Sequence, residues 1–146
     1  MAAGDLQALQ KLHDANLVAL RVGQLAQDKG SARAVKDFGR QLIADHTRAE
    51  RMIGGYLRRY GLDITTFTTT DEDPDHEVLA TKSGAAFDRA LAPQVAADHQ
   101  KAIGLIEAAR NDTVDEALMT LYDQLMTTER AHKREAQILP VSRVGV

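Results

Sequence analysis

The sequence predicts an all-α protein, an up-down-up-down four-helix bundle. Three observations predict it. Alanine and leucine dominate a chain with only 4% aromatic residues, a bias that favours helices over strands. Four long stretches carry apolar residues at three/four spacing, and no useful strand-like alternation appears. Two of the connections are short, and one is longer.

The first helix is expected from Asp5, a good N-cap, with Leu6, Leu9, His13, Leu17 and Leu20 on one stripe. Gly30 is a natural stop, and Ser31 can cap the second helix. That helix shows Val35, Phe38, Leu42, His46, Ala49, Ile53, Tyr56 and Tyr60 on one face, and Gly61 ends it. The turn between the two is about three residues, so they should be antiparallel neighbours.

Asp63–Asp73, rich in Thr and Asp, reads as a loop. Asp73-Pro74 looks like an N-cap followed by proline at the first helical position, and Asp75–Lys82 is expected as a short extra helix. Ser83-Gly84 breaks it. The third main helix carries Phe87, Leu91, Val95, His99, Ala102, Ile106 and Ala109 in phase, and Pro93 should kink or restart it. Thr113-Val114-Asp115-Glu116 matches a capping box for the fourth. Its stripe is Val114, Leu118, Leu121, Leu125, Thr128, His132 and Leu139; Pro140 closes it, and residues 141–146 are expected to fray. A chain of 146 residues fits one domain over 1–146.

Composition narrows the chemistry. The net charge of −3 offers no basic surface for nucleic acid, and the Arg48, Arg51, Arg58 and Arg59 cluster reads as a solvated helix face. The absence of cysteine excludes disulfides, thiolate catalysis and Cys-ligated zinc or iron–sulfur sites. No apolar run approaches the roughly 20 residues of a membrane span. No secretory leader is read either, and Met1-Ala2-Ala3 could be a start placed after a removed one. Ser-His-Asp nucleophile, phosphate-loop and dinucleotide patterns are all missing.

The histidines carry the functional signal. Four of five lie in phase with an apolar stripe, one per helix: His13, His46, His99 and His132; His76 stands apart in the linker. Bundle cores avoid groups that are costly to bury unpaired, so four in phase point to a shared role. Counting from the first turn puts His13 and His46 level, each about 22 Å along its helix. The same counting leaves His132 about 12 Å out of register with His99, so it does not support a strict four-histidine layer.

Acids accompany the rings. ADHTRA at Ala44–Ala49 and ADHQKA at Ala97–Ala102 set Asp45 beside His46 and Asp98 beside His99. Neighbours on a helix point about 100° apart, so these aspartates suit a helix seam, accepting from a histidine on the next helix. Glu129 and His132 form a Glu-x-x-His pair, but a di-iron centre wants two such pairs and two further glutamates.

The run FGRQLIADHTRAE, then SGAAFDRALAPQVAADHQKAI, and then His132 together resemble the Domain of Unknown Function 4142 family over about Leu9–Leu139. The resemblance implies a ferritin-like bundle, bacterial and mostly exported to the periplasm or beyond, with recurring polar core positions at His46, His99 and His132 and Asp45 beside the first. A glutamate usual on the family's first helix is Ala19 or Arg21 here, and the tyrosine usual after Phe87-Asp88-Arg89 is absent. That leaves a nitrogen-rich set, with His13 as a substitute ligand, suited to copper, zinc or nickel more than magnesium or calcium.

Two readings stand. In one, the chain binds a transition metal (copper, zinc or iron) through His46, His99 and His132, with His13 or Glu129 completing the set and Asp45 and Asp98 behind the rings. In the other it is a structural or partner-binding bundle whose Asp-His pairs are interhelical hydrogen bonds fixing register. Neither requires an enzyme, and a bundle of this length also admits a homodimer.

Overall fold

The computed structural model describes residues 1–69 and 74–140. Helix α1 spans Ala3–Lys29, α2 Arg33–Arg58, α3 Pro74–Ala80, α4 Gly84–Asp112 and α5 Glu116–Gln137, with one 3-10 turn at Ile64–Thr66. Among the described residues there is no strand. The four long helices form a ferritin-like four-helix bundle in which α1 packs on α2 and α4, and α5 on α4 and α2. The short α3 lies against α1 and α4.

The helix directions depart from strict alternation. Ile53 and Tyr56, late in α2, share an apolar cluster with Ile106 and Ala109, late in α4. Val35 and Phe38, early in α2, join Phe87 and Leu91, early in α4. These two helices are therefore parallel, and the order is up-down-down-up. The cause is the link over residues 59–83, which crosses the whole length of the bundle, as one long connection does in ferritin-like folds. A short turn in its place would have reversed the chain and kept the alternation expected from the sequence.

Contacts at the bundle ends hold this order. At one end Asp88, only 3% exposed, accepts from the Ser31 and Ala32 N–H groups and the Ser31 hydroxyl at 2.9–3.0 Å. The carboxylate of α4 thereby caps the start of α2, whose own N-cap is Ala32 rather than Ser31. At the other end the Tyr56 hydroxyl donates to Asp115 Oδ2 at 2.6 Å. Asp115 Oδ1 accepts from Ala117 and Leu118, so α5 is capped by Asp115 and not by a box beginning at Thr113. Thr113 closes α4 instead.

Other boundaries shift less. Asp5 sits in the first turn of α1, where its charge still complements the helix dipole, and Ala2 takes the capping position. Pro93 lies inside a continuous α4 and does not restart it. Tyr60 and Val114, placed on apolar stripes by periodicity, are exposed, while Tyr122 is fully buried. The Asp73 cap and the tail over 141–146 lie outside the described residues.

α1 and α2 approach closely because both have glycine at the crossing. A Cβ on Gly39 would stand 2.7 Å from the Gly23 carbonyl oxygen, and one on Gly23 2.8 Å from that of Gly39. The apolar core divides into two clusters, one toward each end of the bundle. A polar layer separates them.

Candidate metal centre

That layer holds His46 of α2, His99 of α4 and His132 of α5, exposed by 2%, 3% and 1%. Their ring centroids are 5.1–5.4 Å apart. His46 Nε2 lies 3.3 Å from His99 Nε2, and His99 Nε2 lies 3.3 Å from His132 Nδ1. The three inward nitrogens all fall within 4.8 Å of one another. His132 is level with His99 because α4 runs to Asp112 and α5 begins at Glu116. These boundaries reduce the 12 Å mismatch expected from counting to about 4.5 Å, within reach of two side chains.

The outward nitrogens carry the ring protons and leave the inward ones bare. His99 Nδ1–H donates to the Val95 carbonyl at 2.9 Å, one turn back on its own helix. His132 Nε2–H donates to Asp45 Oδ2 at 2.7 Å. His46 Nδ1–H donates to Asn16 Oδ1 at 2.9 Å. A neutral imidazole has one N–H, and each ring uses it outward. Three bare lone pairs therefore converge with no hydrogen between them, an arrangement that a positive ion at the centre would satisfy.

The electrostatics keep His46 and His99 neutral. Burial, followed by the charges of His99 and His132, pulls His46 down to about 3. Burial and then His132 pull His99 down to about 4. Burial pushes Asp45 up, yet hydrogen bonds from Gln41 and His132 and the charges of His132 and Arg48 outweigh it, leaving Asp45 below its usual range. Asp45 is thus a carboxylate acceptor, the partner that orients and strengthens an imidazole donor.

Glu129 lies beside the triad, one turn before His132 on α5. Its Oε2 is 3.6 Å from His99 Nε2 and its Oε1 3.8 Å from His46 Nδ1. Burial pushes it up to about 8. Its carboxyl is buried against these two imidazoles, where it could add an oxygen to the three nitrogens. Two nitrogens bound at about 2.0–2.1 Å to one tetrahedral ion stand roughly 3.3 Å apart, the spacing of both adjacent pairs here. The donor set fits a borderline metal such as copper or zinc.

The remaining expected residues lie elsewhere. His13 is outside the triad, with Nδ1 bonded to Glu50 Oε2 at 2.7 Å. Asp98 does not accept from a triad ring; it takes His76 Nε2 at 2.6 Å and Gln94 at 3.0 Å. His76, set apart in the sequence, is buried on α3 and pairs across to α4. Asn16 and Glu50 were missed. Their signal was spacing: Asn16 lies three residues after His13 and Glu50 four after His46, on facing helix surfaces. A cavity of about 630 Å³ along the α1–α4 seam is lined by His46, His99 and Glu129 and also by His76 and Asp98.

Fold and centre together define a ferritin-like four-helix bundle with a buried three-histidine cluster of metal-ligand geometry. The chain belongs to the family described as Domain of unknown function (DUF4142), which residues 1–139 match. No curated protein sequence matches it. Among solved structures, CopM in the Cu(II)-bound form is similar at a TM-score of 0.78 and 17% identity, over 91% of this chain and 93% of that one. CopM in the Cu(I)-bound form is similar at 0.77 and 18%, over 91% and 92%. The apo form of CopM gives 0.74 and 19%, over 91% and 93%. At these identities the likeness is one of fold. No helix among the described residues is long and apolar enough to cross a membrane.

Proposed function

We propose that this chain binds one copper ion through His46 Nε2, His99 Nε2 and His132 Nδ1, with Glu129 supplying an oxygen donor. The observation that carries the reading is the convergence of three imidazole lone pairs whose rings are each held from behind by an acceptor. Asp45 orients His132. Nitrogen-rich sets suit copper and zinc, and the solved CopM structures include Cu(I)- and Cu(II)-bound forms. A single Glu-x-x-His pair argues against a di-iron centre. The role in keeping is metal sequestration or tolerance rather than catalysis, and the family resemblance favours an exported location.

The test is elemental analysis of untagged protein, beside His46→Ala/His99→Ala, before and after incubation with copper, zinc or iron salts. The expected result is near one copper per wild-type chain and none in the double variant. No metal in the wild type after any incubation overturns the reading. A second reading, a register-fixing structural bundle, draws on the interhelical His132–Asp45 and His76–Asp98 bonds. It predicts a melting temperature unmoved by any of the three ions.

A further inference from the structure

We propose that Asn16 and Glu50 are positioning residues that hold His46 in the tautomer whose Nε2 lone pair faces His99. The consequence for affinity rests on the copper reading; the tautomer itself does not. Left to themselves, His46 and His99 would choose otherwise. With its proton on Nε2, His46 would donate across the 3.3 Å gap to His99 Nε2 and satisfy both nitrogens without any ion. That tautomer blocks the centre. Asn16, buried on α1, reverses the choice by offering an acceptor 2.9 Å from Nδ1 on the opposite side of the ring.

An asparagine amide fits the same space in two orientations, so something must keep its oxygen toward His46. Glu50 does so. Its Oε1 takes the Asn16 Nδ2 at 2.9 Å, and carboxylate oxygens accept where an amide NH2 donates. The carboxylate is anchored in turn, because Oε2 is bonded to His13 Nδ1 at 2.7 Å. The sequence His13, Glu50, Asn16, His46 is a directed chain of hydrogen bonds between α1 and α2, set by the acceptor at Glu50. It also explains why a buried histidine on α1 sits in phase with the others without joining them. Residues behind a metal-bound imidazole fix its tautomer and raise its basicity.

The test uses nitrogen-15 long-range proton correlation on the metal-free full chain, which reads the tautomer of His46 directly, followed by calorimetric titration with Cu(II). In the wild type the proton is expected on Nδ1. In Asn16→Leu it moves to Nε2, and Cu(II) binds about 10–100-fold more weakly. The double variant Asn16→Asp/Glu50→Gln keeps an acceptor toward His46 and a donor behind it, and restores both the tautomer and the affinity. Glu50→Gln alone, the mildest change, gives a mixture of tautomers and carries the test should Asn16→Leu not fold. A wild-type proton on Nε2, a proton still on Nδ1 in Asn16→Leu, or Glu50→Gln indistinguishable from wild type overturns the positioning role. A tautomer switch in variants of a wild type that takes up no Cu(II) overturns the copper reading and leaves the positioning role standing.

Discussion

Asp88 and Ser31, separated by 57 residues, meet through two hydrogen bonds of 3.0 Å, one to the Ser31 N–H and one to its hydroxyl. This pair sets the direction of α4, because it anchors the start of that helix at the α1–α2 turn. Asp88→Ala leaves those donors to water and removes a buried charge-assisted cap. Urea denaturation should show a loss of about 2–3 kcal/mol with an unchanged slope. A loss below about 0.5 kcal/mol would mean that the turn holds itself.

Asp45→Ala removes the acceptor from His132 Nε2–H, leaving that donor buried and free to exchange its proton to Nδ1. Copper affinity should fall about 10–100-fold, as when other carboxylate partners of ligand histidines are lost. Competition against a chromogenic chelator measures it; unchanged affinity would show that Asp45 serves stability alone.

The metal-free protein should be most stable near pH 6.5. Unfolded His46 and His99 take up protons below about 6.5, whereas the folded rings refuse them until about 3 and 4. Stability contributed by these rings is therefore lost as pH falls from 6.5. Unfolded Glu129 ionises above 4.5, but the folded carboxyl keeps its proton to about 8, so its contribution declines as pH rises between those values. Two rings outweigh one carboxyl below 6.5, and the carboxyl acts alone above it. Each group contributes a slope of up to about 1.4 kcal/mol per pH unit. Glu129→Gln should flatten the decline above 6.5 in chelator-treated protein followed by thermal melts; a variant that keeps the decline refutes the assignment.

Gly39→Ala should cost more than an exposed glycine change, because its methyl would meet the Gly23 carbonyl at 2.7 Å and the Ala26 Cβ at 2.8 Å. Overpacking of this kind costs about 1–3 kcal/mol. Asn16 and His46 bridge the same pair of helices, so the variant should also broaden the His46 proton signal. Gly4→Ala, where a Cβ would meet nothing within 4 Å, is the control and should be neutral or slightly stabilising.

Helix periodicity made much of this molecule readable. It placed His46, His99 and His132 on inward stripes, and the structure brings those three together. Periodicity reports which way a residue faces, not which end of the bundle a helix starts from. The parallel run of α2 and α4 therefore escaped it, being decided by a 59–83 link and by Asp88, whose partners lie 56 and 57 residues away. His13 was legible as buried but not as an outer member of a chain, since an inward phase does not distinguish a ligand from a residue one hydrogen bond further out. Asp98 and His76 show the same limit from the other side: the acid repeats the Asp45 motif, yet its neighbour is α3, a helix with no counterpart beside Asp45.

The polar layer between the two apolar clusters has a mechanical consequence. An ion held by His46, His99 and His132 would act as a staple across sequence separations of 53 and 33 residues. Cross-links that close long loops remove freedom chiefly from the unfolded chain. The staple would lock α2, α4 and α5 to one another, while α1, which supplies no ligand ring, would be tied to it only through Asn16 behind His46. The cavity lies along α1's seam with α4, so the centre is approached beside α1 and not through the three helices the ion would join.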